Sequence, residues 1–321
     1  MAKVITEKFA FTQYADGIEF NGKAVATAFD LPPGFQGTVS GYTSGGNVGA
    51  PTFVKNIIDK FPFAVDGNAT DVGDLTADGA SVAGHSSSAS GYTSGVGSPS
   101  NVIDKFPFAV DANATDVGDL TQARTVAAGQ SSSVSGYTSG GPGNLNTIDK
   151  FPFAVDANAT DVGDLTVGRS SVVGQSSTDF GYVSGGQSPL VNTIDKFPFS
   201  ADANATDVGD LTLARRSGAG QSSTVSGYTS GGNATPDVTN VIDKFPFASD
   251  GNATDVGDLT RSNQQMAGQS SVTSGYTSGG YTPPNTGSNV IDKFPFAADA
   301  NATDVGDLSL GRFDLSAGQQ V

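Results

Sequence analysis

The hexapeptide Ile58-Asp-Lys-Phe-Pro-Phe63 occurs six times in this chain of 321 residues. Its aspartates lie 45 to 49 residues apart along the chain, at Asp59, Asp104, Asp149, Asp195, Asp243 and Asp292. Self-similarity at a nearly constant period of this length is typical of architectures in which each repeat is one supersecondary unit. The hexapeptide therefore marks the unit from which the fold is built.

Two further segments recur on either side of the hexapeptide. Gly-Tyr-x-Ser-Gly precedes it, beginning at Gly41 in the first repeat, and Asp-x-Asn-Ala-Thr-Asp-Val-Gly-Asp-Leu follows it from Asp66. A Gly-Gln-Ser-Ser segment, as at residues 129–132, separates successive repeats. Turn residues between short strand-like stretches predict four strands: a in Gly-Gln-Ser-Ser, b in Gly-Tyr-x-Ser, c ending in the hexapeptide and d after the acidic turn. Four such strands make one antiparallel sheet, and no helical periodicity is present.

The aromatic residues of the repeat predict where the core lies. The pair typified by Phe61 and Phe63 accounts for 12 of the 20 phenylalanines, and Tyr42 with its equivalents accounts for 6 of the 8 tyrosines. Residues i and i+2 of a strand share a face, so each pair covers one side of its sheet. Sheets arranged in a closed ring cover one another's aromatic faces. Pro62 is predicted to open the c–d turn after a strand c that ends at Phe61, with a bulge as the alternative.

The two ends of the repeat region predict how the ring closes. Residues 313–321 align with a strand a, whereas the first repeat begins at strand b, so the C-terminal segment can complete the first sheet. These features predict an all-β fold, a six-bladed β-propeller of four-stranded antiparallel blades over residues 37–321. Residues 1–36 form a non-repeat arm, although Glu7-Lys-Phe-Ala-Phe11 resembles the hexapeptide and leaves a vestigial seventh repeat open.

Composition excludes several classes of function. The formal net charge is −16, which disfavours nucleic acid and anionic membrane surfaces as partners, because both are recognised through basic residues. The chain has no cysteine, and no apolar run approaches the length of about 20 residues that spans a bilayer. The N-terminal residues lack the apolar stretch of a signal peptide, so we expect folding in a cytoplasm and no membrane insertion.

Catalytic residues are not expected. His85 is the single histidine and replaces the glutamine of other repeats, as at Gln130, so we interpret it as a tolerated polar substitution. A catalytic triad would also need an oriented carboxylate and an oxyanion hole. The protein is therefore predicted not to be an enzyme and to need no cofactor.

The acidic turn after the hexapeptide offers one alternative to a protein without cofactors, namely a calcium-binding site. Asp66, Asn68, Thr70 and Asp74 place oxygens at positions 1, 3, 5 and 9 of the turn, a spacing that resembles calcium-binding loops. Position 6, however, is an aspartate where such loops have glycine. Aspartate and asparagine also stabilise turns without metal through their own backbone, and we favour that interpretation.

Variation between repeats is concentrated in the loop between strands b and c. The six segments are 47–55, 97–100, 142–145, 187–191, 233–239 and 281–288, and they account for every difference in spacing. In an antiparallel blade the b–c loops and d–a segments emerge at one end, so one face of the disc is variable. Recognition usually resides in loops on a rigid scaffold. Apolar residues there are the candidate binding residues, with neutral drift as the alternative: Phe53, Leu145, Leu190, Val238 and Tyr281.

The repeat resembles the kelch repeat over residues 37–321. The resemblance rests on an arginine ahead of strand a (Arg124, Arg169, Arg215, Arg312), a Gly-Gly doublet after strand b (Gly140 and Gly141) and a hydrophobic-acidic strand c. The tryptophan of that family is absent, and Gly79 and Asn263 stand where two of the arginines would be. The near-identical repeats look like kelch-type proteins of marine bacteriophages.

This resemblance implies a structural or adhesion module of a phage particle, such as a tail or another virion appendage. It implies that residues 1–36 attach to other virion proteins, while the variable face contacts a host surface glycan or protein, or a neighbouring virion protein. Two alternatives remain: an intracellular protein-interaction scaffold, and a propeller enzyme acting on glycans.

Overall fold

A computed structural model describes residues 36–49, 54–97, 99–282, 287–314 and 318–321. It also describes the strands β1 (Phe11–Tyr14), β2 (Gly17–Phe20) and β3 (Lys23–Thr27), which form a separate three-stranded antiparallel sheet. The described residues form strands and connecting turns, and none of their segments is a helix long and apolar enough to cross a membrane.

Six four-stranded antiparallel sheets form the predicted ring, so the chain is a six-bladed β-propeller. Strand a of each blade lies nearest the axis and strand d lies outermost. In the order a, b, c, d, blade 1 consists of β27 (Gln319–Gln320), β4 (Ser40–Ser44), β5 (Ile57–Pro62) and β6 (Thr70–Asp74), and blade 2 of β7 (Ala83–Ser86), β8 (Ser90–Ser94), β9 (Ser100–Pro107) and β10 (Thr115–Arg124). Blade 3 consists of β11 (Ala128–Ser131), β12 (Ser135–Ser139), β13 (Thr147–Pro152) and β14 (Thr160–Asp164), and blade 4 of β15 (Val173–Ser176), β16 (Phe180–Ser184), β17 (Thr193–Pro198) and β18 (Thr206–Asp210). Blade 5 consists of β19 (Ala219–Ser222), β20 (Ser226–Asn233), β21 (Val238–Pro246) and β22 (Thr254–Asp258), and blade 6 of β23 (Ala267–Ser270), β24 (Ser274–Ser278), β25 (Val290–Pro295) and β26 (Thr303–Asp307).

The proline of the hexapeptide is the last residue of strand c rather than the first of the turn. Pro62 pairs with Ser40 of strand b, at the end of the ladder where its missing N–H costs least. A bulge is present as well, but it lies in strand d, where Val72 is the extra residue between Asp71 and Gly73. The boundary predicted at Phe61 was therefore one residue short.

The core lies between blades, as the aromatic pattern predicted. The ring of Tyr42 in blade 1 packs against Phe106 and Phe108 of blade 2, with centroids 5.5 and 5.0 Å apart. The same arrangement closes the circle, because Tyr276 of blade 6 packs 4.9 Å from Phe63 of blade 1. Each of these side chains is buried, and burial of an aromatic of this size contributes about 1.5–3 kcal/mol.

The C-terminal segment closes the ring. Gln319 pairs with Tyr42, and Gln320 pairs with Gly41, so β27 is the innermost strand of blade 1. A circle of hydrogen bonds then surrounds the axis, in which a backbone N–H of one blade reaches a side-chain oxygen of the next. Its donor and acceptor pairs are Ser86 to Ser131, Ser131 to Ser176, Ser176 to Ser222, Ser222 to Ser270, Ser270 to Gln320 and Gln320 to Ser86.

Glycine is required where the inner strands meet. A Cβ added to Gly129 would lie 2.2 Å from the carbonyl oxygen of Gly84 in the neighbouring blade. The equivalent glycines of four other blades, Gly174, Gly220, Gly268 and Gly318, meet the same obstacle at 2.1 to 2.2 Å. The Gly-Gln-Ser segment is therefore fixed by the close approach of six strands around one axis.

Candidate binding face and central channel

The two faces of the disc carry different loops. We call the face with the b–c loops and d–a segments the variable face, and the face with the a–b and c–d turns the turn face. Five of the six a–b turns end in a backbone bond of 2.9 Å from the c–d phenylalanine, and the sixth bond is 3.0 Å long. The turn face therefore has nearly the same backbone in all blades, and the variable face does not.

The predicted binding residues lie on the variable face but are only half exposed. Leu145, Leu190, Val238 and Tyr281 are all partly buried, and Phe53 lies outside the described residues. The Tyr281 ring packs 5.4 Å from Phe313. These side chains therefore shape the loops at least as much as they offer contact surface.

The b–c segment of blade 5 is a β-hairpin rather than an irregular loop. In blade 5, Val238 pairs with Asn233, so β20 and β21 extend beyond the disc as a hairpin. The N–H of Ala234 donates to the Asp237 carbonyl at 2.9 Å and closes a tight turn. The longer segment of this repeat is thus a protruding ribbon.

The most exposed large apolar side chains on the variable face belong to the d–a segments. Val167, Leu213 and Leu310 are each 40–47% exposed. Sequence reasoning noted that these segments vary in identity but did not select them, because their length is constant. The signal that could have found them is an apolar residue two positions ahead of the repeat arginine.

Buried ion pairs hold the base of this face. The Arg124 guanidinium lies 2.6 Å from the Asp149 carboxylate and also donates to the carbonyls of Thr138, Gly140 and Thr147. Burial lowers the pKa of Arg124, although Asp149 opposes that shift. Equivalent pairs join Arg169 to Asp195, Arg215 to Asp243 and Arg312 to Asp59. The arginines that carried the kelch resemblance therefore clamp strands b and c where the loop begins.

The central channel has a constricted mouth on the variable face. Its cavity of about 70 Å³ is ringed by Ser81, Val126, Ser171, Ser217, Gln265 and Asp314, each with φ between 51° and 60°. Backbone bonds join most of this circle, as where the Val126 N–H donates to Ser81 at 2.7 Å. A second cavity of about 40 Å³ lies toward the turn face. Sites for drug-sized ligands measure about 300–1,000 Å³, so this channel suits water or ions.

His85 is enclosed between two blades. Its Nδ1 lies 3.2 Å from the Gln130 carbonyl oxygen and its Nε2 lies 3.0 Å from Ser94 Oγ, with Thr138 also within reach. Desolvation lowers its pKa to about 4. None of these partners is a carboxylate, so the geometry gives a neutral structural imidazole rather than a catalytic base.

Two of the four candidate calcium ligands of the acidic turn, Asp66 and Asn68, contact the neighbouring blade. Asp66 pairs with Lys293 of blade 6 at 2.8 Å, and Asn68 accepts the Asp307 N–H at 3.1 Å. Each blade repeats both contacts with its neighbour, so the turns link the blades. Within the described residues, no group of three or more His, Asp or Glu side chains is placed to hold a metal.

No protein-family model matches the chain, and no curated protein is significantly similar to it in sequence.

Proposed function

We propose that this propeller is a non-enzymatic binding module, and that its variable face carries the contact surface. The observation that supports this most strongly is the contrast between faces. Six blades share almost one sequence, yet loops of different length and shape project from one face only. A rigid scaffold with divergent loops is the usual arrangement of a recognition surface.

The resemblance to phage proteins suggests where the module works. In this proposal the chain is part of a phage particle, residues 1–36 attach it to other virion proteins, and the variable face meets a host surface or a neighbouring virion protein. Mass spectrometry of particles purified from the host should detect the chain at a fixed ratio to the major structural proteins. Its absence from clean particles would refute the virion role and leave the binding role standing.

The arm has its own test. Deleting residues 1–34 should leave the melting temperature of the propeller within a few degrees, because Gln36 and Gly37 still contact Ser271 and Ser270 of blade 6. Particle incorporation should be lost. Normal incorporation of this variant would show that the propeller itself attaches to the particle.

The binding role is tested on the exposed side chains of the variable face. The triple variant V167S/L213S/L310S should reduce adsorption of the labelled protein to host cells at least ten-fold, without a change in melting temperature. V225S on the turn face is the matched control, because Val225 is also exposed. Equal loss in both variants, or no loss in the triple variant, would place recognition elsewhere.

A further inference from the structure

Six polar side chains surround the propeller axis where they line the cavity of about 40 Å³ near the turn face. Each belongs to the last residue of a strand a, and we call these six residues the axial ring. Blade 1 contributes the amide of Gln320, and blades 2 to 6 contribute the hydroxyls of Ser86, Ser131, Ser176, Ser222 and Ser270. Each side-chain oxygen accepts a backbone N–H from the preceding blade at 2.9–3.2 Å.

The axial ring carries hydrogen-bond donors for which the protein provides no acceptor. A serine hydroxyl has one hydrogen besides the two lone pairs of its oxygen, and the N–H of the preceding blade uses only a lone pair. Within the described part of the chain, no acceptor lies within hydrogen-bonding distance of these five hydroxyl hydrogens or of the Gln320 amide hydrogens. All six residues are at most 8% exposed. Buried donors in native proteins are nearly always satisfied, so an occupant of the cavity has to supply the acceptor.

The layer of side chains between the blades shows the opposite balance. Gln221, one residue before Ser222, donates to the Tyr276 carbonyl at 3.0 Å, and its amide oxygen accepts from the Ser230 hydroxyl at 2.8 Å. Gln130 likewise donates to a tyrosine carbonyl and accepts from a serine hydroxyl. Donors and acceptors are therefore matched between the blades, and the excess of donors is confined to the axis.

The composition of the cavity wall indicates which occupant fits. Only glycine, serine and glutamine line the cavity, so no charged side chain is present to hold a cation or to repel an anion. Among the glycine carbonyls, that of Gly268 already accepts the Gly318 N–H at 2.6 Å. A water molecule would bring two hydrogens of its own into this surplus of donors. A monatomic anion accepts from every side, and hydrogen bonds to a charged acceptor are stronger than neutral ones.

We propose that the axial ring is a binding site for a halide ion, such as chloride. Five hydroxyls and the Gln320 amide each donate to the ion. Every blade supplies one donor, so the set is complete only when the C-terminal strand has closed blade 1. The ion therefore stabilises the closed ring by mass action, and it does so independently of the variable face.

Bromide gives the direct test, because its anomalous X-ray scattering distinguishes it from water. Crystals of the full chain grown in sodium bromide should show one anomalous peak on the axis, within hydrogen-bonding distance of the axial ring. In solution, replacing sodium gluconate by sodium chloride at constant ionic strength should raise the melting temperature by about 3 °C or more, since the ion binds only the folded ring.

Two variants of the axial ring and one matched control sharpen the test. Q320E keeps an oxygen for the Ser270 N–H but places its own negative charge among the donors, so its chloride-dependent shift should disappear. S176A removes one donor and should reduce the shift at least two-fold. S87A is the control, because the Ser87 hydroxyl donates to the Ser90 carbonyl in the a–b turn, outside the ring, and the shift should be unchanged.

Three results would overturn the proposal. An axis without an anomalous peak would assign the donors to water. A chloride-dependent shift of equal size in Q320E and the wild type would place any halide effect elsewhere on the protein. A shift that follows the change from sodium to potassium rather than from gluconate to chloride would show that the protein responds to the cation. The comparison uses the shift of each protein relative to itself, so a lower melting temperature of a variant does not affect it.

Discussion

Blades 2 and 3 have the same four strands, but different buried residues connect those strands within each blade. Around the buried aspartate of strand c, blade 3 has Arg124 and Gly141 beside Asp149. At the equivalent positions blade 2 has Gly79 and Val96 beside Asp104. At the axis, blade 3 carries Gln130 and blade 2 carries His85. Blade 2 therefore combines three departures from the repeat, whereas blade 6 has one at the arginine position, Asn263.

In blade 2 the side chain lost at Gly79 is partly replaced by the side chain gained at Val96. A Cβ on Gly141 would lie 3.3 Å from the Arg124 Cβ, so the second glycine of the doublet makes room for the arginine stem. Where Gly79 replaces the arginine, Val96 replaces that glycine and joins the core between blades 1 and 2. Exchange of a buried ion pair for apolar packing is often close to neutral in stability, and this ring contains both solutions.

In blade 2 the carboxylate of Asp104 stays buried although the arginine that would pair with it is missing. Asp104 is fully buried without a guanidinium, and its oxygens accept from the Thr76 N–H and hydroxyl at 2.7 Å. Desolvation raises its pKa, with the two Thr76 bonds acting in the opposite direction. The comparison teaches that threonine alone can hold this carboxylate, although burial without a guanidinium then raises its pKa.

Loss of the C-terminal strand should have the largest effect, because blade 1 loses its strand a and blade 2 loses its neighbour at the axis. The tail is its neighbour at the axis, since Gln319 donates to the Tyr92 carbonyl at 2.9 Å and Gln320 to Ser86 Oγ at 2.9 Å. Deleting residues 318–321 removes roughly ten hydrogen bonds at about 0.5–1.5 kcal/mol each, so we expect destabilisation of 5 kcal/mol or more. Chemical denaturation measures it, and a wild-type midpoint would contradict the closure.

Breaking the ion pair of blade 3 should come next. R124A leaves Asp149 buried without its cation, and three carbonyls lose a donor, so we expect a loss of about 3–5 kcal/mol in the free energy of unfolding. Urea titration at pH 7 measures the loss. R261A is the control: among the described residues Arg261 makes no salt bridge and acts on Asp292 only through its charge, so its loss should cost under about 0.5 kcal/mol. Equal midpoints for R124A and wild type would show that the pair is dispensable.

The histidine should make the wild type sensitive to acid. The folded pKa of His85 is depressed to about 4, so the unfolded chain binds the extra proton first and stability falls as pH drops from about 6.5 toward 4. Relative to H85Q, the wild type should lose about 2.5 kcal/mol between pH 7 and pH 4.5. Parallel stability profiles for the two proteins would contradict this, since glutamine at the same position does not titrate.

The smallest effect should be neutralisation of Asp104. D104N removes one acceptor but no ion pair and should cost about 1 kcal/mol, whereas D149N strands Arg124 and should cost about 3–5 kcal/mol. The pH dependence has the opposite sign to that of His85. Because the folded pKa of Asp104 is raised, its contribution falls as pH rises from its ordinary value through the folded one, and D104N should lack that slope. Equal losses of unfolding free energy in D104N and D149N would show that blades 2 and 3 do not differ in how they hold the buried carboxylate.

Most of the fold could be predicted from the sequence because the same pattern occurs six times. The packing of Phe61 on Tyr276, the tyrosine of the preceding blade, follows from strand periodicity and the need to cover aromatic faces. The partner of Arg124 did not follow, since Asp149 is 25 residues away and across a turn. The joint change at Gly79 and Val96, which the sequence analysis did not use, indicates only that Arg124 lies against Gly141.

The binding surfaces were predicted less well, because exposure depends on how loops fold back. Val238 extends a hairpin and Tyr281 packs on Phe313, which a count of loop length cannot show. The exposed Val65 lies in a turn that sequence comparison treated as uniform. Val65 differs from its exposed equivalents Ala201 and Ser249 in residue type, and that difference was already present in the sequence.

The most direct test of this account is the titration of the single histidine, His85. Because the chain has one histidine, its ring proton signal in NMR needs no assignment. The account predicts a pKa of about 4 in the folded protein and about 6.5 in the urea-unfolded chain. A folded pKa near 6.5 would contradict it, because the imidazole would then be solvated and the inner strands of blades 2 and 3 would not enclose it.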